Sequence, residues 1–108
     1  MGQREGEGGT DLERGVITET EKKVEHPKLY KVLLHNDDYT TMEFVVHVLQ
    51  TVFHKALAEA TQIMLHVHRK GIGVCGVYTY EVAETKVAQV LEMAKSYEFP
   101  LQSSMEEA

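Results

Sequence analysis

A single cysteine, Cys75, among 108 residues leaves no intramolecular disulfide to form and suits a reducing compartment. No apolar run approaches the eighteen residues of a membrane span, and the first residues show no basic-then-apolar leader, so the expected location is the cytoplasm, away from membranes. Positive charge is scarce as well. Eleven Lys and Arg stand against seventeen Asp and Glu, a net charge of −6. That balance argues against a nucleic-acid binder working by phosphate neutralisation and suits a partner with a cationic feature. The chain has no Cys-x-x-Cys and no His-Glu-x-x-His. His66 and His68 are two apart and point to different sides of a helix, while His47 and His54 are two turns apart, so neither metal nor cofactor is expected. Asp37, Asp38 and His68 offer an acid–base set, but no Gly-x-Ser-x-Gly elbow supplies a nucleophile. Cys75, mid-strand among glycines, reads as buried and not as reactive, so the expectation is a protein that is not an enzyme.

What is present describes one small domain behind a tail. Five of the eight glycines fall in the first fifteen residues. Sizeable aliphatic side chains are sparse up to Pro27, too few to offset the entropy of ordering the segment. Residues 1–27 therefore read as a flexible extension and 28–108 as the folded core. Leu29–His35 is rich in β-formers, with Tyr30, Val32 and Leu34 on one face. From Met42 to Phe53, apolar residues recur at helical spacing. A second helix, Ala56–Lys70, places Leu57, Ala60, Ile63, Met64 and Val67 on one stripe. It closes with basic residues and Gly71, which suits the negative end of the helix and a left-handed cap. Ile72–Tyr78 reads as a strand weakened by two glycines. Thr79 caps a third helix whose buried stripe is Ala83, Val87, Val90, Leu91 and Ala94. Phe99–Met105 is a last short strand, with Pro100 at its start or on an edge. The order β-α-α-β-α-β gives an α+β fold: a three-stranded antiparallel sheet with three helices on one face.

The junction of the first strand and the first helix carries the chemistry. Asn36-Asp37-Asp38 puts one amide and two carboxylates in a tight turn. Thr40 and Glu43 follow in the S/T-x-x-E pattern, so Thr40 is expected to cap the helix and Glu43 to reach back. Met42 and Val45 share one helix face; Met64, Val67 and His68 share another. By spacing alone, the four apolar members read equally well as core, where Met fills gaps.

The run Asn36-Asp37-Asp38-Tyr39-Thr40, continued by Met42-Glu43-Phe44-Val45, closely resembles the signature of the ClpS family. Two later runs agree with it: Ala60-Thr61-Gln62-Ile63-Met64-Leu65-His66-Val67-His68, and Glu81-Val82-Ala83-Glu84-Thr85-Lys86-Val87-Ala88. The similarity extends from about Leu29 to Ala108. It implies a monomeric adaptor that binds N-degrons, destabilising N-terminal residues, and hands its cargo to the N-terminal domain of a ClpA- or ClpC-type AAA+ unfoldase. It implies that Asn36, Asp38 and His68 hold the α-amino group and that Asp37 shapes the rim. Thr40, Met42, Val45, Met64, Val67 and Leu101 would wall the side-chain cavity, and Glu81 and Lys86 would form the docking surface for the unfoldase. Two positions depart from the family's pattern. Thr41 stands where Pro is frequent, and His35 stands where an aliphatic residue is common. A generic protein-interaction domain is the alternative, since the element order also resembles the C-terminal domain of a ribosomal stalk protein.

Overall fold

The computed structural model describes residues 26–108. The expected flexible extension lies, but for its last two residues, outside them. The elements run β1 (Leu29–His35), α1 (Met42–Thr51), α2 (Leu57–Lys70), β2 (Ile72–Thr79), α3 (Tyr80–Ser96) and β3 (Gln102–Glu107). The sheet has the order β2-β1-β3, antiparallel throughout.

Strand alternation decides where the core lies. Val32 and Leu34 are fully buried with Val48, Leu49 and Val90 of the helices, while Ile72, Val74 and Val77 are exposed on the opposite face of the sheet. The helices thus cover one face. The β1–β2 register slips once. Val32 pairs with Gly76 and Leu33 with Val74, which leaves Cys75 as the extra residue of a bulge. The bulge lets Val74 and Val77 both face outward while Cys75 turns into the core.

Several local expectations need correction. Leu57 was expected in the buried stripe of α2 and is 62% exposed, because it opens the helix at the mouth of the α1–α2 seam. Leu91, expected on the buried stripe of α3, is also exposed. Thr79 is the N-cap of α3 by backbone conformation, but its side chain makes no capping bond. The last strand begins at Gln102, later than expected. Pro100 has no N–H to give to a ladder, and the chain uses the residues around it to close α3: Glu98 takes a left-handed φ of 63° and the Phe99 N–H donates to Ala94 O at 2.8 Å. Phe99 then stacks on Phe44, with ring centroids 4.7 Å apart.

Candidate functional site

The acceptor loop is built by one of its own carboxylates. Asp37 Oδ1 accepts from the N–H groups of Tyr39 (2.8 Å) and Thr40 (2.7 Å), and Oδ2 accepts from the Thr40 hydroxyl (2.7 Å). Partial burial pushes the Asp37 carboxyl up. The three donors, led by the Thr40 hydroxyl, outweigh that and hold it below its ordinary value. Thr40 is therefore committed to Asp37 and does not cap α1. The cap is Thr41, whose hydroxyl accepts from the Phe44 N–H at 3.1 Å. The expected S/T-x-x-E box fails by this one-residue shift, since Glu43 now stands two residues after the cap. Thr41, one of the two departures from the family's pattern, thus supplies the oxygen that starts the helix.

The loop is also tied to the far end of α2. Gly71 closes that helix with φ of 89°, and its N–H donates to Val67 O at 2.8 Å. A non-glycine residue would be strained in this conformation. The Gly71 carbonyl in turn accepts from the Asn36 N–H at 2.9 Å. This main-chain bond brings the acidic loop beside the helix end that carries His68.

Between these elements lies a cavity of about 240 Å³. Asn36, Asp37, Asp38, Thr40 and His68 give its lining polar atoms; Met42, Val45, Met64 and Val67 give it apolar ones. Nine of the ten residues expected at the α-amino and side-chain sites are thus brought together. Asp38 is exposed and, among the described residues, makes no hydrogen bond. Val45, Met64 and Val67 are buried, whereas Met42 is 44% exposed at the mouth. The arrangement offers hydrogen-bond acceptors for a cation against an apolar wall with room for one side chain.

Leu101 is the residue not brought to the cavity. It is 2% exposed within the main core and absent from the lining. His35 does not border the cavity either. Its Nε2 is 2.7 Å from Ser104 Oγ across the β1–β3 pair. Glu81 and Lys86 are not brought together. They are five residues apart on α3, roughly 140° around the helix at about 100° per residue. Lys86 donates from Nζ to Val52 O at 2.7 Å and lies 5.7 Å from the Tyr78 ring centroid. Glu81 lies in a separate groove with Lys28 and Tyr30.

Sequence reasoning missed Gly73, which supports the cavity from behind. A Cβ there would meet Val67 Cγ2 at 2.6 Å and His66 Cδ2 at 3.3 Å. Val67 is β-branched and stiff in a helix, so it cannot swing away cheaply. Gly73→Ala is expected to lower stability by about 1–3 kcal/mol, the usual cost of overpacking, and to weaken ligand binding by displacing Val67. Thermal melts and peptide titration of the variant test this; a native melting temperature with native affinity overturns it. The signal was available in principle, as a glycine within a strand marks a close approach of another element.

Reactive chemistry finds little support. Cys75 is 1% exposed, and burial pushes its thiol up to about 12, with Lys55 opposing weakly. A thiol so held is not a nucleophile at neutral pH. Among the described residues, no group of three or more His, Cys, Asp or Glu side chains is placed to hold a metal ion. No helix among them is long and apolar enough to cross a membrane.

Comparison with known proteins agrees with this geometry. The family model described as ATP-dependent Clp protease adaptor protein ClpS matches residues 25–104. The ATP-dependent Clp protease adapter protein ClpS of Phenylobacterium zucineum is 58% identical over 104 residues, covering 96% of this chain and 95% of that protein. The protein of the same name from Parvibaculum lavamentivorans is 60% identical over 105 residues, covering 97% and 92%. Among solved structures, Agrobacterium tumefaciens ClpS2 bound to L-phenylalaninamide superposes with a TM-score of 0.75 at 41% identity, covering 77% of this chain and 100% of that one. The chain belongs to the ClpS family of Clp protease adaptors.

Proposed function

We propose that this protein is an N-degron adaptor. It binds proteins beginning with Leu, Phe, Tyr or Trp through their free α-amino group and first side chain. It then delivers them to a ClpA- or ClpC-type AAA+ unfoldase for degradation. The observation that carries this reading is one cavity lined both by hydrogen-bond acceptors and by apolar side chains. An N-terminal residue is the one place in a chain where an α-ammonium adjoins a side chain. Asn36, Asp38 and His68 hold the ammonium, and Asp37 shapes the rim. Thr40, Met42, Val45, Met64 and Val67 receive the side chain. The Agrobacterium relative's ligand, L-phenylalaninamide, has the same parts: a free amine, an aromatic side chain and an amide where a peptide bond would follow.

Each charge-assisted hydrogen bond contributes roughly 1.5–3 kcal/mol. Burying a Leu or Phe side chain contributes roughly as much again. After the cost of association, micromolar affinity is expected. Titration with a Phe-initiated peptide and its N-acetylated twin tests the reading. Acetylation removes two or more charged bonds, so affinity is expected to fall at least about 100-fold. Affinity should also fall as pH rises through the ligand amine's pKa of about 7.7–8, because only the protonated amine donates fully. Equal binding of both peptides overturns the proposal.

Delivery belongs to the same proposal, with the adaptor acting as a cytoplasmic monomer that docks the unfoldase on α3, at Glu81 and Lys86. Deleting residues 1–27 is expected to leave peptide affinity unchanged, because the whole cavity lies in residues 36–68. Delivery is expected to suffer, since the resemblance to the ClpS family implies that the extension engages the unfoldase. Degradation of an N-degron substrate at the full-length rate counts against that role for the extension.

A further inference from the structure

A second depression of about 240 Å³ lies in the seam between α1 and α2, lined by Met42, Glu43, Val46, Leu57, Thr61 and Met64. Met42 and Met64 also line the first cavity, so the two cavities are neighbours divided by these two thioethers. We propose that the depression is a second subsite, which takes an apolar side chain at the third residue of the bound chain. This rests on the reading that the first cavity receives a free N-terminus.

The order of residues along α2 sets the direction. His68 and Val67 belong to the first cavity alone, Met64 to both, and Thr61 and Leu57 to the second alone. A chain whose amine is held at the Asn36–Asp38–His68 end runs back along α2 and crosses Met64. At a rise of about 1.5 Å per residue, the middles of the two α2 segments are about 8 Å apart. An extended chain advances about 3.3 Å per residue and sends alternate side chains to the same side. The second side chain therefore points away from the surface. The third returns to it about 6.6 Å on, and the fourth points away again. Only the third meets both the spacing and the direction.

The lining determines what the subsite accepts. Thr61 donates its hydroxyl to Leu57 O at 2.8 Å, so that donor is already used. Among the described residues, Met42 is 44% and Leu57 62% exposed, so both present apolar surface there. Single exposed apolar residues need no explanation; these two flank one depression that continues the candidate binding cavity. Glu43 is the one charged residue in the lining, and it disfavours an acidic side chain at that place.

Three peptides beginning Phe-Ala-Ala, Phe-Ala-Leu and Phe-Leu-Ala, otherwise identical, separate the outcomes. Phe-Ala-Leu is expected to bind roughly threefold to tenfold more tightly than Phe-Ala-Ala, as partial burial of one Leu side chain allows. Leu at the second position is expected to gain nothing. In Leu57→Ser, the ratio between Phe-Ala-Leu and Phe-Ala-Ala falls to about one. Equal affinities in the native protein overturn the subsite while leaving the first cavity's role standing. So does a gain at position two instead of three, or a ratio that survives Leu57→Ser. Failure of all three peptides to bind overturns the N-terminus reading and the subsite with it.

Discussion

In Met42→Ala, peptides beginning with Ile or Val bind at least about tenfold more tightly than they do to the native protein, while those beginning with Leu bind more weakly. Met42 is the first residue of α1, immediately after the Thr41 cap, and stands at the mouth of the cavity directly beside the acceptor loop. With the ammonium held by that loop, the ligand's Cβ lies next to Met42. Leu, Phe, Tyr and Trp carry one carbon on Cβ and branch later; Ile and Val carry two and are stiff there. In the proposed binding mode Met42 would meet the extra methyl, and a steric element of this kind sets specificity by exclusion. Tenfold corresponds to about 1.4 kcal/mol, a modest figure for relief of one clash. Leu loses contacts with the thioether. Because Met42 is 44% exposed, that loss falls near or below the low end of the 2–5 kcal/mol typical of buried truncations. Affinities for Leu-, Ile- and Val-initiated peptides decide the matter. If Ile and Val remain excluded, Met42 is not the gate.

The two carboxylates of the loop, alike in sequence, should part company when removed one at a time. Asp38→Ala is expected to cost at least about tenfold in affinity for a Phe-initiated peptide, one charge-assisted bond's worth. Its melting temperature should be almost native, as exposed substitutions usually stay within about 0.5 kcal/mol. Asp37→Ala withdraws the acceptor from three donors. It is expected to lower stability by about 1–3 kcal/mol, or roughly 4–8 °C of melting temperature per kcal/mol for a domain of this size, and to abolish binding by unshaping the loop. Asp37→Asn keeps an acceptor oxygen and should fall between. Proton linkage gives an independent check. The folded-state pKa of Asp37 is depressed, so its stabilisation is fully present above the ordinary value of 3.8 and is lost as pH falls through the folded value. Asp37→Ala should therefore flatten the acid limb of the stability curve. A native melting temperature and acid limb in that variant would show that the three hydrogen bonds do not hold the loop.

The bonding of this loop is not legible in the sequence, and the reason is specific. Asn, Asp and Thr each bond nearby backbone in several geometries, and Asn36–Thr41 contains only such residues apart from Tyr39. Which oxygen takes which N–H is decided by the path of the chain, not by composition. The choice between Thr40 and Thr41 as cap is lost in the same ambiguity. Periodic segments are legible. The three helices and three strands follow from repeats of 3.6 and 2, and the facing pairs Met42–Val45 and Met64–Val67 follow from helical spacing. What periodicity could not separate was core from cavity wall: Val45 and Leu101 are both buried, yet only Val45 borders the opening. Lys86 shows the remaining gap. Its bond to Val52 O joins residues 34 apart, and no local rule anticipates it.

The bonds that shape the acceptor loop run from Asp37 and Asn36 to other groups of the protein, so in the proposed function the loop needs no N-terminus to take its shape. An incoming chain meets a finished site and has nothing to fold on the adaptor's side. Association should then proceed at the 10⁵–10⁷ M⁻¹s⁻¹ usual for docking without rearrangement, with little variation among Leu, Phe, Tyr and Trp. Discrimination would appear in dwell time, with poorly fitting N-termini dissociating quickly and well-fitting ones remaining long enough to be passed on.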